Sequence, residues 1–346
     1  MNILCIGEST LEITSTINCD FSEGLDISLP ERLENGAGYA GNVAYLLTKW
    51  GLSTYIASML GSDDNGEKIK KEFESIGTKI DYVETSYDKQ TGIKLVLVNS
   101  KTNKNTIIRI GNKLTLKKHA FVVEPNIIFL DGSDLESSTY ALDKYPNAKS
   151  FLSVKENNHD TQELCRYVKY IVFSKEMAEE FSNTRMDFND TGTIVNVYSK
   201  LKQKFPKAEI FITINDKGSI YSVNGQIKIM PPVKVNAVDT NGAGSAFIGG
   251  LIYGIGREFD IDKAISFATI AASLTTTKLT SRASIPSLIE VSNYYDSKFG
   301  TTNNVNPEPT PKEEVKQEVN MSVTENTPAP VVQETVNNDN QQNTQA

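Results

Sequence analysis

Cysteine and histidine are scarce in this chain of 346 residues: Cys5, Cys19 and Cys165, with His119 and His159, are all there is. The cysteines have no CxxC spacing, so a zinc site is not expected, and Cys5, inside an apolar run, reads as a small core residue. A basic excess is also missing. The formal net charge is −8, which offers no positive face for nucleic acid. No uninterrupted apolar segment reaches the roughly 18 residues of a membrane span, and Met1–Gly7 lacks the basic leader of a signal peptide. The protein therefore reads as cytoplasmic, without nucleic-acid or membrane partners. Aromatic residues disappear altogether from 301–346, where Asn, Gln, Glu, Thr, Pro and Val dominate and two lysines face seven acidic residues. Such a stretch cannot bury enough apolar surface to offset its ordering entropy. It is expected to be a disordered acidic tail, either a solubilising appendage or a docking segment for another protein. Residues 1–300 are left as one large domain.

Within that domain the most specific stretch is Asp239-Thr240-Asn241-Gly242-Ala243-Gly244-Ser245, which leads into the apolar run Ile248–Tyr253. A glycine-rich turn entering a helix leaves several backbone N–H groups unpaired and converging, and the helix dipole adds positive charge there. Small residues let an anion approach the main chain closely.

The stretch resembles the second signature of the ribokinase-like (PfkB) carbohydrate kinases, Asp-Thr-x-Gly-Ala-Gly-Asp. In that family the last aspartate takes the proton from a sugar hydroxyl as it attacks the γ-phosphate of ATP. Here the position is Ser245, a hydroxyl un-ionised at neutral pH, so Gly242, Ala243 and Gly244 keep the anion hole while the base is lost. Upstream, Asn35–Leu47 is similar to the first signature, with Gly38, Asn42 and Ala44 matching, Ala37 replacing the first glycine and Trp50 the leucine before Gly51. The resemblance implies sugar contacts for Gly38 and Asn42; otherwise Asn42 caps a helix. Gly36-x-Gly38-x-x-Gly41 also fits a dinucleotide fingerprint, but the polar Pro30–Asn35 before it is a poor strand for that turn. Glu12 stands where the family has an aspartate for substrate hydroxyls, and its alternative is a solvated strand residue. Arg109 lies where the lid meets substrate, to touch an anionic ligand or simply to decorate the surface.

The remaining motifs are altered as well. Ser174 and Met177 occupy the places of Asn-x-x-Glu, which organises magnesium, and methionine offers no oxygen ligand; Glu176 or Glu179 could compensate by a register change. Thr213-Ile214-Asn215-Asp216-Lys217-Gly218 keeps the ends of Thr-x-Gly-x-x-Gly, with Asn215 tolerating glycine-like angles. The resemblance assigns nucleotide contacts to Thr213, Lys217 and Gly218 and to Asp239, Thr240 and Asn241. Thr280-Ser281 replace a glycine-alanine pair that helps to hold a monovalent cation.

Short apolar runs at 2–7, 53–58, 127–130, 151–154, 170–173 and 210–213, separated by amphipathic stretches, predict a mostly parallel sheet covered by helices on both faces, a three-layer α/β/α fold. Residues 286–298 predict a last helix with Pro286 in its first turn. The resemblance adds a small β-sheet lid from about 11–34 and 88–112, with a homodimer through that sheet as a further option. Two functions stay open: a pseudokinase that binds a nucleotide or a sugar-like ligand, or an active ATP- and Mg²⁺-dependent carbohydrate or nucleoside kinase.

Overall fold

Strand β1 (Asn2–Ile6) shows how the domain is built: Ile3 and Cys5 enter one apolar cluster, Leu4 and Ile6 a second on the opposite face. A strand buried on both faces needs such an unbroken apolar run, because successive side chains alternate between the faces. In the computed structural model, which describes residues 1–111, 113–117 and 120–300, β1 is an interior strand, third from one edge of a nine-stranded sheet. On one side lie β4 (Ser53–Gly61) and β5 (Lys79–Ser86); on the other β8 (Ile127–Leu130), β9 (Lys149–Val154), β10 (Tyr170–Ser174) and β11 (Glu209–Thr213). These strands pair in parallel, and β12 (Ser219–Val223) and β13 (Gln226–Met230) close the edge antiparallel. This is the three-layer α/β architecture expected from the sequence.

The first cluster packs α1 (Tyr39–Lys49), α2 (Asp64–Ser75), α7 (Ala243–Gly256), α8 (Ile261–Thr275) and α9 (Leu288–Phe299) on one face. The second packs α3 (Leu135–Lys144), α4 (His159–Leu164), α5 (Lys175–Ser182) and α6 (Thr191–Lys204) on the other. Helices α7 and α8 approach so closely that a methyl group on Gly250 would lie 2.8 Å from the Ala268 Cα. The glycines in the apolar run after Ser245 thus serve helix packing. Pro286 falls outside α9: Ser287 is the N-cap and forms a capping box with Glu290, so the proline precedes the helix rather than entering its first turn.

A separate four-stranded sheet has the order β3 (Leu33–Ala37), β2 (Thr10–Ile17), β6 (Ile93–Asn99) and β7 (Asn105–Ile110). Polar β3 forms because it pairs antiparallel with β2, and it runs directly into α1. A strand does therefore precede the Gly36–Gly41 step, but it is an edge strand of the small sheet, and the βαβ unit of a dinucleotide turn is not formed. The chain divides into units Met1–Asn303 and Asn304–Ala346. The acidic tail, and Asn112 at the end of the expected lid segment, lie outside the described residues.

Candidate functional site

In an open parallel sheet, ligands sit beyond the carboxyl ends of the strands where strand order reverses. Here the order reverses at β1, between β4 and β8. A cleft of about 230 Å³ opens at that point, lined by Glu8 after β1, Asp131 and Ser133 after β8, Lys155 after β9, Arg109 of β7, and Tyr39. A larger hollow of about 420 Å³, lined by Glu34, Gly36, Tyr45 and Glu72, is more open and lies away from these strand ends.

The Gly242–Ser245 turn meets this region. Gly242, with φ 88°, is the N-cap of α7, and no side chain caps that end. The helical ladder begins with the Ala246 N–H donating to the Gly242 carbonyl at 3.0 Å, so the Gly244 and Ser245 amides have no helical carbonyl to meet. A side chain at Gly244 would start 3.6 Å from Lys155 Nζ and 3.7 Å from the Tyr39 hydroxyl. Ser245 is buried, 4% exposed, and its hydroxyl makes no hydrogen bond among the described residues. Asp239, the nearest acid in sequence, is fully occupied. Its carboxylate accepts from the Asn241 amide (2.8 Å), Asn105 Nδ2 (2.7 Å) and the Thr280 amide (3.0 Å). Burial pushes its pKa up, with those bonds opposing and Glu12 adding to the rise. Thr240 lies at the margin of the same contact, 3.5 Å from Asn105 Nδ2.

Glu12 is completely buried rather than solvated. Asn241 Nδ2 donates to it at 2.8 Å, the Ser281 amide and hydroxyl each at 2.7 Å, and Lys94 Nζ at 3.4 Å. Burial would raise its pKa, but Lys94 and the bonds from Asn241 and Ser281 outweigh burial and hold the carboxyl below its ordinary value. Asn42 does not cap a helix: it is buried inside α1, whose N-cap is Gly38. Its Oδ1 accepts from Arg282 Nε at 3.2 Å. Arg282 is itself buried, donates to the Ala37 carbonyl at 3.2 Å, and pairs with Glu72 at 3.2 Å. Its guanidinium lies 4.7 Å from the Phe73 ring centre, and a side chain on Gly36 would collide with it. The glycine step and its asparagine therefore close around a protein side chain.

The small sheet is bonded to the loop before the nest. Asn103 Nδ2 donates to the Ala237 carbonyl at 2.9 Å, Asn105 reaches Asp239, and Lys94 donates to Asn241 Oδ1. Arg109 is 58% exposed and stands 3.7 Å from Glu8, so it is a cleft-wall residue rather than a detached surface one.

Residues 2–288 match the pfkB family carbohydrate kinase profile. The chain belongs to the PfkB family. It is 24% identical over 302 residues to the ribokinase of Haemophilus influenzae, covering 80% of this chain and 95% of that protein. Its fold is similar to Arabidopsis thaliana ribokinase complexed with ribose and ATP (TM-score 0.70, 18% identity, 84% of this chain and 97% of that one). It is likewise similar to Cryptococcus neoformans ribokinase in complex with ADP (TM-score 0.73, 17% identity, 85% and 99% covered).

For a PfkB protein the metal-organising motif fits poorly. Ser174 Oγ caps α5 by accepting from the Met177 amide at 3.2 Å, Glu179 accepts from the Met186 amide at 2.9 Å, and Glu176 meets Asn215 Nδ2 at 3.4 Å. None of these contacts presents the oxygen pair that the family motif would, so these residues do not fit magnesium held in the family's way. The cation-loop position is altered in the same manner. Ser281 spends its amide and hydroxyl on Glu12, and Thr280 holds φ 76°, an uncommon conformation for a β-branched residue where the family has glycine. The Thr213–Gly218 turn, in contrast, has glycine-like backbone at both positions that call for it: Asn215 takes φ 53°, Gly218 takes φ 99°, and Thr213 donates to the Phe173 carbonyl at 3.3 Å. Lys217 Nζ lies 5.0 Å from the Phe188 ring centre.

Sequence reasoning missed Tyr39, Lys94, Lys155 and Arg282. Tyr39 sits inside the first signature, and Lys155 follows an apolar strand at the sheet's carboxyl edge, which were usable signals. Lys94 and Arg282 act through partners far away in sequence and left none.

Proposed function

We propose that this PfkB protein is a cytoplasmic binder of a nucleotide, a sugar-like hydroxyl compound, or both, with phosphoryl transfer weak or lost: a pseudokinase. The observation that carries this reading is the state of the carboxylate on the nest's own loop, Asp239, and of Glu12, which is bonded to that loop through Asn241. Asp239 and Glu12 are both buried with their oxygens engaged by protein donors, while Ser245 offers only a hydroxyl. A missing general base costs about 10² to 10⁴ in rate. In this reading the Gly242, Ala243 and Gly244 main chain holds a phosphoryl group, and Thr213, Lys217, Gly218, Thr240 and Asn241 border the nucleotide. Gly38 and Arg109 border the hydroxyl compound, with the small sheet as a lid. Glu12 and Asn42 shape the floor instead of gripping the ligand. ATP is supported by the uncapped nest and by the ATP and ADP bound to the two ribokinases of similar fold.

The test is thermal denaturation of the full chain with ATP, ADP and a panel of pentoses, hexoses and nucleosides. It is run beside an assay of transfer from γ-labelled ATP to the same panel. A rise in Tm with at least one ligand and turnover far below that of a ribokinase are expected. Turnover at ribokinase rates would replace this reading with that of an active carbohydrate or nucleoside kinase, which the intact nest favours; no response to any ligand would remove both.

A further inference from the structure

An attacking hydroxyl at the nest still has a proton to lose. Tyr39 is the first residue of α1, directly after Gly38, whose φ of 92° turns the chain into the helix. Lys155 Nζ lies 4.0 Å from the centre of its ring, and among the described residues Lys155 has no carboxylate partner. The phenol oxygen and the Lys155 ammonium stand 3.7 and 3.6 Å from the point where a Gly244 side chain would begin. Both line the cleft. Phenol, ammonium and the amino end of α7 thus meet at Gly244, the residue before Ser245.

We propose that Tyr39, assisted by Lys155, accepts the proton of the attacking hydroxyl in this chain. The inference rests on the reading above, that a nucleoside triphosphate and a hydroxyl compound occupy the cleft, and it makes transfer weak rather than absent. The acceptor oxygen bonds to the γ-phosphorus. The bond from that phosphorus to the bridging oxygen breaks, its electron pair leaving with the nucleoside diphosphate. The acceptor proton passes to the Tyr39 phenolate, which later releases it to water. Burial alone would push the phenol up, but the charges of Lys155, Lys94 and Arg109 outweigh it and hold Tyr39 below the ordinary tyrosine value. The other charged groups on the cleft wall are Glu8, Asp131, Glu156 and Lys113. Burial, with Asp131, pushes the Glu8 carboxyl up. Glu8 is therefore the rival proton acceptor.

A purely structural Tyr39 would serve as a ring beneath Lys155 and a hydrogen-bond partner of it; phenylalanine preserves the ring contact and loses only the bond. Tyr39→Phe in the full chain is therefore expected to lower the melting temperature slightly at most, to keep its response to ATP, and to lower transfer from γ-labelled ATP by about 10²-fold or more. The wild-type rate should rise with pH towards the phenol's ionisation, and Tyr39→Phe should lose that limb. In a Ser245→Asp background, Tyr39→Phe should change the rate less than about 3-fold, because a carboxylate then serves. Ultraviolet difference titration gives a readout independent of activity. One of the fourteen tyrosines should ionise ahead of the rest, vanish in Tyr39→Phe and shift upward in Lys155→Met. Equal rates for wild type and Tyr39→Phe would overturn the proposal, as would the absence of an early phenolate, or loss of transfer in Glu8→Gln but not in Tyr39→Phe. A wild type that binds ATP and a sugar yet transfers nothing also overturns it while the binding function stands; failure to bind either sinks that function instead.

Discussion

Two regions near the cleft are built in opposite ways. At the start of α7, Gly242 and Gly244 leave main-chain donors uncapped and unobstructed. Around Glu12 and Asn42, Glu12 is consumed by Asn241, Ser281 and Lys94, and Asn42 by Arg282. A nest made of backbone depends on only a few small residues, so it outlasts changes elsewhere. A floor made of side chains can be rewired one contact at a time, and here its hydrogen-bonding capacity has been turned inward.

If that contrast is sound, breaking the floor should cost stability and placing a carboxylate beside the nest should raise the chemistry. The largest effect is expected for Arg282→Ala, which leaves Glu72, Asn42 and the Ala37 carbonyl without their buried partner. Losing one member of a buried ion pair costs about 3–5 kcal/mol, to be read from urea unfolding, with Arg282→Met milder. Were this variant stable and better at binding sugars, the guanidinium would be a removable plug instead of a keystone. Next, Ser245→Asp should raise ATP-dependent transfer by about 10²-fold, measured with labelled ATP; no gain would mean that a carboxylate at this position is not what limits the chemistry.

Glu12→Gln should cost about 1–3 kcal/mol by replacing a carboxylate whose donors are charged or buried. The sign with pH follows from its lowered pKa. The charged form is favoured in the folded state, so Glu12's contribution is full above the ordinary carboxylate range and lost as pH falls through its depressed value. Asp239, with its pKa raised, works in the opposite direction, the folded state gaining from protonation as pH falls through the elevated value. Acid unfolding of Glu12→Gln should therefore be flatter than that of wild type. A variant with unchanged acid sensitivity would place the titrating group elsewhere. The smallest effect is expected for Thr280→Gly, which relieves a left-handed β-branched residue and should stabilise by about 1 kcal/mol, visible as a modest rise in Tm.

The layers of the fold were legible because their signals are local. The unbroken apolar run of β1 and the glycine turn before α7 can each be read within ten residues. Asn215 also declared its left-handed turn through its residue type. The floor was not legible, since Glu12 meets Ser281 and Asn42 meets Arg282 across more than two hundred residues. Nothing near Glu12 in sequence distinguishes a carboxylate awaiting a sugar from one already satisfied. Pro286 shows the finer limit: a proline suits the first helical turn, and only the Ser287–Glu290 capping pair decides that the helix starts after it.

The bonds from Asn103, Asn105 and Lys94 to residues 237–241 have a kinetic consequence. A lid motion of the small sheet would have to break these bonds to the same loop that carries Asp239 towards the nest. Were entry and escape to depend on that motion, the observed rate in rapid mixing should level off as ligand concentration rises, at a ceiling belonging to the chain and not to the ligand.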